Sequence, residues 1–320
     1  NLALNHRYMK LKKKLLNIDK MHMYDVYVNT LDNSDEKYTF EDAKEIVKKA
    51  LTPLGKDYLE VIDFALENRW IDVYESENKY SGGYSMGVYG VHPYILLNYT
   101  DDIESVSTTA HELGHTMHSY LASKTQDFFN ADYTIMVAEV ASTVNEILLA
   151  EYQIANEKEN SKKAALINSL IDRIRATLIR QTMFAEFEKD VHLKVESGIT
   201  LSADELCDIY YNLNKKYFGE DVVSDDYIKY EWARIPHFYR PFYVYKYATG
   251  ISSAIAIATR ILKGDKEYTN RYINMLKCGG SKDSLDLLKD VDVNLETTKP
   301  VEDAFKYFEE KLQALEDLLN

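Results

Sequence analysis

Apolar residues recur at helical spacing along most of the chain, and this pattern predicts a mainly α protein. Thr39 and Asp42 have the spacing of a capping box, in which two side chains cap the first turn of a helix. The helix that they begin is predicted to end near Pro53 and Gly55, and another helix is predicted over 56–68.

The C-terminal half shows the same helical spacing with recognisable boundaries. The stretch 161–196 predicts one long helix or two. Ser202 and Glu205 form a second capping-box pattern. Pro300 suits the first turn of a helix, and an amphipathic helix is predicted after it. Its apolar stripe contains Phe305, Phe308, Leu312, Leu315 and Leu319.

The pattern changes between Trp70 and Tyr99. The segments 70–75, 84–91 and 94–99 are rich in β-branched and aromatic residues, and glycines and a proline separate them. Helical spacing returns from Ile103. The sequence therefore predicts a small β-sheet directly before a helix.

Composition and charge exclude several classes of function. The 320 residues carry a formal net charge of −14, which disfavours nucleic acid and anionic membrane surfaces because phosphate repels such a chain. The two cysteines, Cys207 and Cys278, are far apart and favour a reduced, cytoplasmic protein. No apolar run approaches the roughly 20 residues of a membrane span. The chain starts without Met or a signal-peptide core, so we expect part of a longer protein.

The most specific motif is His-Glu-x-x-His at residues 111–115. His111 and His115 are four residues apart, which places them one turn apart on one face of a helix, where both rings can bind one metal ion. Glu112 is adjacent and can reach a water bound to that ion, as a general base must. Chance gives only about 0.02 such matches in a chain of this composition. The structural alternative is a helix that carries two histidines and binds no metal.

A catalytic zinc needs a third protein ligand. A histidine ten residues after the first is excluded, because Leu121 occupies that position. Glu139 is the better candidate, since it lies on or near an apolar helical face where a carboxylate needs a partner. Other acidic residues fit an apolar face less well; they are Asp127, Asp132 and Glu151.

Two more residues are candidates to support the ligands. Glu146 lies seven residues after Glu139, on nearly the same helical face, and suits the orientation of a ligand histidine through its free ring nitrogen. His118 lies on the His111 face, two turns along. It could support the site in the same way or be a packed core histidine.

HELGHTMH followed by AEVAST resembles the thimet-oligopeptidase family of zinc peptidases, and within it the oligoendopeptidase F subfamily. The segments IPHFYRPFYVYKYATG and CGGSKDSLDLLKDVDV look similar to that subfamily as well. The resemblance covers essentially the whole chain but only the C-terminal part of the usual protein. It implies a helical, zincin-type catalytic domain over 1–320, with one zinc ion per chain and oligopeptide substrates cleaved in a deep channel. The family's N-terminal region, which helps to wall that channel, is then an expected partner.

The resemblance also implies roles for individual residues. His111, His115 and Glu139 match the zinc ligands, and Glu112 matches the catalytic base. His237 matches a late histidine that contacts substrate and transition state. Nearby tyrosines share this task in the family. Tyr245 is the best match, followed by Tyr239 and Tyr243, and Phe242 stands where relatives have tyrosine.

Apart from the resemblance, the sequence leaves the roles of His237 and the nearby tyrosines open. Tyrosine and histidine are suitable neutral donors to an oxyanion, but a chain with 26 tyrosines uses many of them for packing. Tyr84 begins a segment whose strand edge could pair with an extended peptide, or could be a plain structural hairpin.

Three functions are compatible with the motif. The first is a zinc endopeptidase acting on oligopeptides. The second is a zinc aminopeptidase, which should offer an acidic site for the substrate amine, and 81–90 contains no acid. The third is an inactive helical peptide-binding module, which would have no need of an intact Glu112.

Overall fold

The computed structural model describes residues 1–31 and 36–320. The α-helices in these ranges are α1 Leu2–Leu16, α2 Phe40–Ala50, α3 Lys56–Glu67, α4 Ile103–Thr125, α5 Ile135–Asn156, α6 Asn160–Ile174, α7 Gln181–Glu196, α8 Ala203–Phe218, α9 Tyr245–Ile261, α10 Lys266–Lys277, α11 Ser284–Lys289 and α12 Lys299–Leu319. The strands are β1 Met21–His22, β2 Ile71–Asp72, β3 Tyr84–Met86, β4 Tyr94–Leu96 and β5 Val222–Val223. The prediction of a mainly helical protein with a small sheet before the motif helix is confirmed.

Local capping explains where several helices begin. Thr39 and Asp42 form the predicted capping box of α2, and Ser202 and Glu205 form that of α8. The stretch 160–196 is one continuous helical run, but its middle, Arg175–Arg180, is π-helical. The turns of a π-helix are wider than those of an α-helix. The local sequence pattern did not predict this segment.

The chain divides into two compact units, and each is described by itself. The first unit contains the described residues of Asn1–Asp32, Ile167–Thr249 and Phe305–Asn320. The second contains those of Asn33–Leu166 and Gly250–Ala304. The expectation of a single catalytic domain over 1–320 stays a prediction.

Helices α4 and α5 form the centre of the second unit. Helices α2, α3 and α10 also contact α4, and Leu113, Met117 and Val144 are fully buried between these elements. The sheet has the order β2-β4-β3, with β2 parallel and β3 antiparallel to β4. Strand β3 is at the edge and packs on α4. The sheet therefore lies directly beside the helix that carries the metal motif.

In the first unit α8 packs on α1 and α7, and both α1 and α7 contact the π-helical segment. This unit contains a partly buried ion pair between the buried Lys12 and the half-buried Asp172, whose Nζ and Oδ2 atoms are 3.1 Å apart. Strands β1 and β5 form a short parallel pair, with Met21 opposite Val222. None of the helices in the described ranges combines the length and apolar character that crossing a bilayer requires.

Candidate metal centre

Helix α4 presents the two motif histidines one turn apart. Its N-terminus is capped by Asp102, whose carboxylate accepts the Ser105 N–H at 2.7 Å. His111 and His115 are partly buried, and Glu112 between them is 5% exposed. The motif therefore lies inside the second unit and not on an outer helix face.

Helix α5 crosses α4 at a point of very close approach. A Cβ atom built on Gly114 would lie 2.5 Å from Ser142 Cα and 2.7 Å from the Ala141 carbonyl oxygen, closer than real Cβ atoms come. Only glycine lets the two backbones pack at this distance. Consequently the Glu139 and Glu146 side chains of α5 reach the histidines of α4.

Three potential ligand atoms converge on one point. His111 Nε2 and His115 Nε2 are 3.1 Å apart, and Glu139 Oε2 lies 3.8 Å from the first and 4.0 Å from the second. Tetrahedral zinc with bonds of about 2.1 Å separates its ligand atoms by about 3.4 Å, a value within this observed range. Within the described residues this is the one group of three such side chains that could hold a metal ion.

Hydrogen bonds fix how both rings face the centre. His111 Nδ1 lies 2.9 Å from Glu146 Oε1, and His115 bonds to the backbone of Ala138. A ring that donates through one nitrogen turns the lone pair of the other toward its partner. Both Nε2 atoms therefore present lone pairs to the same point. The two histidines and Glu139 together make a donor set that suits zinc.

A buried amide ties α5 to the start of the motif. Asn145 donates through Nδ2 to the Ala110 carbonyl at 3.1 Å, and Tyr58 of α3 donates to its Oδ1 at 3.3 Å. Asn145 is fully buried. This bridge holds the residue before His111 against α5, so it stabilises the crossing that brings the ligands together.

Burial and close charges shift the pKa values of this group in different directions. Burial raises the pKa of Glu112 to about 7, against the opposing effect of His111. Burial, followed by the nearby His111, lowers the pKa of His115 to about 3. For His111, burial lowers the pKa, but the Glu146 hydrogen bond and three carboxylates raise it above its ordinary value. Burial also raises the pKa of Glu139. Three carboxylates, those of Glu112, Glu139 and Glu146, thus lie close to His111, and a bound cation would favour their ionised forms.

Strand β3 lies on α4 through small residues at alternate positions. A Cβ atom on Gly83 would be 3.0 Å from Thr108 Cγ2 and 3.4 Å from Glu112 Oε1, whereas Ser85 bonds to Thr116 at 2.8 Å. The backbone of Ser85 also bonds to Glu112. On the opposite face of β3, Tyr84 is 46% exposed and Met86 is 54% exposed. The predicted strand edge is thus directly beside Glu112.

His118 is buried next to this site but does not join the ligand group. Its ring stacks on Tyr133 with centroids 3.6 Å apart, and its Nδ1 is buried without a hydrogen-bond partner in the described part of the chain. The Tyr133 hydroxyl bonds to Ser119 at 2.7 Å and lies 3.4 Å from the His115 carbonyl oxygen. His118 thus packs against a residue that lies beside the His115 backbone, and its role in supporting the site stays a prediction.

The late histidine and tyrosines all belong to the first unit. His237 lies in the short 3-10 helix Pro236–Tyr239, and Tyr245 is the first residue of α9. His237 and Tyr243 have ring centroids 5.6 Å apart. Tyr239 is 84% exposed. The structure thus brings the His237 and Tyr243 rings close together, whereas the Tyr239 side chain extends into solvent.

Comparison with known proteins decides the family. The model of "Peptidase family M3" matches residues 1–307. The chain belongs to peptidase family M3. Oligopeptidase PepF of Bacillus subtilis is 46% identical over 319 residues, which cover 100% of this chain and 48% of the relative. Group B oligopeptidase PepB of Streptococcus agalactiae is 39% identical, over 100% of this chain and 53% of its own length.

A solved structure agrees with these sequence relatives. The crystal structure of oligoendopeptidase-F from Enterococcus faecium matches with a TM-score of 0.78 and 35% identity, covering 99% of this chain and 50% of that protein. The predicted resemblance to oligoendopeptidase F is therefore confirmed. This family M3 chain spans about half the length of the curated relatives that it matches.

Sequence reasoning missed two residues of this family M3 chain. Asn145 bridges α4 and α5 through the Ala110 carbonyl, whereas helical spacing pointed only to its neighbour Glu146. Tyr247 lies with its hydroxyl 3.2 Å from His237 Nε2. The alternation of Tyr243, Tyr245 and Tyr247 was a signal for the second residue, whereas nothing local indicated the partner of Asn145.

Proposed function

We propose that this chain is the catalytic part of a zinc-dependent endopeptidase that hydrolyses short peptides. The observation that carries the proposal is the convergence of His111, His115 and Glu139 ligand atoms within 4.8 Å, with Glu112 beside them. These three side chains would hold one zinc ion. Bound zinc supplies Lewis acidity, which polarises a peptide carbonyl and makes water more acidic.

Glu112 is the proposed general base. Its carboxylate takes a proton from the attacking water and returns it to the leaving amine. Burial raises the pKa of Glu112, whereas a bound cation would favour the carboxylate form that the first transfer requires. Oε2 of Glu112 is buried and has no hydrogen-bond partner within the described ranges, so it is available to that water.

Glu146 and His118 are proposed to support the ligands. Glu146 accepts from His111 Nδ1 and thereby holds the ring with Nε2 toward the ion. His118 acts through packing, because its ring stacks on Tyr133, which lies beside the His115 backbone.

His237 and Tyr245 are proposed to stabilise the oxyanion of the tetrahedral intermediate. The support is their match to family positions and the chemistry of neutral donors. Tyr239 and Tyr243 are proposed substrate contacts. Tyr84 is proposed to bind substrate from β3, whose outer edge can pair with an extended peptide. Such pairing uses backbone groups and therefore tolerates varied side chains.

The peptide channel, the cellular location and the partners of the whole protein are also proposals. The relatives are about twice as long as this chain, so we propose that their additional region forms part of the peptide channel. A cytoplasmic location is proposed from the free thiols of Cys207 and Cys278. Oligopeptides are the proposed partners, and nucleic acid and membranes are not.

The decisive experiment compares wild type with Glu112→Gln. Zinc content and hydrolysis of an internally quenched peptide blocked at both ends are measured. The amide keeps the shape of the carboxylate but cannot accept the proton, so zinc should remain and the rate should fall by about 10²–10⁴. Glu151→Gln on α5 is the matched control and should change neither. Near-normal turnover by Glu112→Gln, or hydrolysis only of peptides with a free amino terminus, would contradict the proposal.

A further inference from the structure

A strained turn separates the late histidine from the tyrosine-bearing start of α9. Phe242 has a φ of 57°, in the left-handed region that favours glycine. An aromatic residue rarely adopts this conformation unless the surrounding structure holds it there. Phe242 is 49% exposed, so burial of its ring is not sufficient to explain the turn.

Helix α7 holds this turn through a buried carboxylate. Glu188 is 5% exposed, and its Oε1 accepts the Phe242 N–H at 2.7 Å. His192, one helical turn later, packs its ring on the Phe242 ring with centroids 4.7 Å apart. Two residues of one α7 face therefore contact both the backbone and the side chain of Phe242.

Glu188 differs from Glu231, another buried acid of the first unit, which pairs with Arg180 at 2.7 Å. Among residues 1–31 and 36–320, no ion pair of Glu188 is found, and its partner is the Phe242 backbone. A buried carboxylate without a cation is costly. The hydrogen bond to the Phe242 N–H is therefore the contact through which this buried carboxylate acts.

The turn determines the geometry of the residues on both sides of it. On one side, the Arg240 N–H donates to the His237 carbonyl at 2.9 Å. On the other side, the Lys246 N–H donates to the Tyr243 carbonyl at 3.2 Å as α9 begins. The Tyr247 hydroxyl then lies 3.2 Å from His237 Nε2. A different backbone at 242 would change the direction in which this whole segment leaves the turn.

We propose that Glu188 is a positioning residue, which fixes the left-handed turn at Phe242 so that His237 and Tyr245 are oriented for catalysis. This inference rests on the proposed function, because it assigns those two side chains to the transition state. Glu188 itself touches neither substrate nor metal in this role. It acts through the backbone of Phe242.

The test compares Glu188→Ala, Glu188→Gln and Glu186→Ala, with kcat, KM and zinc content measured on the blocked peptide. Glu188→Ala removes the acceptor, and kcat should fall about 10-fold or more, since small misplacements of catalytic groups are expensive. KM and zinc content should change little. Glu188→Gln retains an acceptor oxygen and should restore most of kcat. Glu186 lies on the same helix but bonds to Tyr217 at 2.8 Å, so Glu186→Ala should have near-normal kcat.

A second variant separates positioning from general loss of structure. Glycine adopts a φ of 57° without strain, so the effect of Glu188→Ala should shrink in a Phe242→Gly background. An equal loss of kcat in both backgrounds, or no loss in either, would overturn the proposal.

Amide hydrogen exchange distinguishes failure of this inference from failure of the proposed function. Glu188→Ala should accelerate exchange at Phe242, whereas Glu186→Ala should not. If wild type hydrolyses no peptide, the proposed function and the catalytic part of this inference fail together. Accelerated exchange would still establish the backbone contact. If wild type is active but exchange at Phe242 is unchanged in Glu188→Ala, only the positioning role fails.

Discussion

Replacing Gly114 with alanine should disrupt the metal site without disrupting the fold. The added Cβ would start 2.5 Å from Ser142 Cα, and ordinary contact begins at 3.4 Å, so α4 and α5 must separate by about 0.9 Å (3.4 − 2.5). Glu139 Oε2 now lies 3.8 and 4.0 Å from the two histidine nitrogens. The same displacement lengthens these distances to as much as about 4.7 and 4.9 Å, whereas tetrahedral zinc requires about 3.4 Å.

Gly114→Ala should also lower the stability of the second unit, because the added Cβ meets backbone atoms, which cannot move aside as a flexible side chain can. Overpacking costs about 1–3 kcal/mol, and a backbone clash belongs at the upper end of that range, while the higher helix propensity of alanine offsets about 1 kcal/mol. The net loss is therefore about 2 kcal/mol, and zinc affinity is compared at temperatures where thermal unfolding shows both proteins to be folded. Loss of one ligand should weaken zinc binding by more than the roughly 10–100-fold expected when a supporting hydrogen bond is removed.

Gly250→Ala provides the matched control for this prediction. Gly250 is a helical glycine near the same carboxylate, and its added Cβ would lie 3.5 Å from Glu139 Cβ, an ordinary contact. Zinc affinity would be measured by competition with a chelator, and stability of the metal-free protein by thermal unfolding. Gly114→Ala should lose zinc affinity and Gly250→Ala should keep it. Wild-type zinc affinity in Gly114→Ala would refute the argument from helix separation.

Three further perturbations follow from the contacts of individual side chains. His111→Ala should abolish stoichiometric zinc, and chelation of wild type should have the same effect on peptide hydrolysis, measured by metal analysis and rate. Glu146→Ala should weaken zinc binding by about 10–100-fold while Glu146→Gln loses less, since the amide can still accept from His111 Nδ1. Hydrogen bonding from Arg271, assisted by Arg260, lowers the pKa of Asp292 to about 2. Its contribution to stability is therefore present above pH 3.8, the ordinary value, and is lost as the pH falls toward 2. The carboxylate is half exposed, so its contribution is small. Asp292→Asn should therefore only modestly weaken the dependence of the melting temperature on pH over that interval.

Features encoded in neighbouring residues were predictable from the sequence. The capping boxes of α2 and α8 and the spacing of His111 and His115 depend on residues within one helical turn. The position of Glu139 on an apolar face placed it near the histidines because a buried carboxylate requires a partner. Helical spacing, capping patterns and the cost of burying a carboxylate together supplied these conclusions.

Features that depend on distant residues were not predictable in this way. A glycine inside a helix weakens the helix on average, so Gly114 gave no sign that two backbones meet there. The pairing of Met21 with Val222 joins strands of two residues each, which are too short to produce an alternating pattern. The contact of Glu188 with Phe242 depends on a backbone conformation that aromatic residues rarely adopt. Packing, and not propensity, decides all three.

The π-helical segment Arg175–Arg180 has a consequence for which kinds of mutation the first unit can accept. An α-helix advances about 100° per residue, so a wide segment that accommodates one extra residue rotates every later side chain by about that angle. Glu188 faces Phe242 only in the rotational phase that this segment establishes. Substitutions of the half-buried Ala176 and Thr177 that preserve helix formation should therefore be tolerated, whereas Arg180 is needed as the ion-pair partner of Glu231. A one-residue deletion would convert the segment to α-helix and swing Glu188 about a quarter turn away from Phe242. The number of residues in this segment is thus a constraint in its own right, beside the identity of its buried and ion-paired side chains.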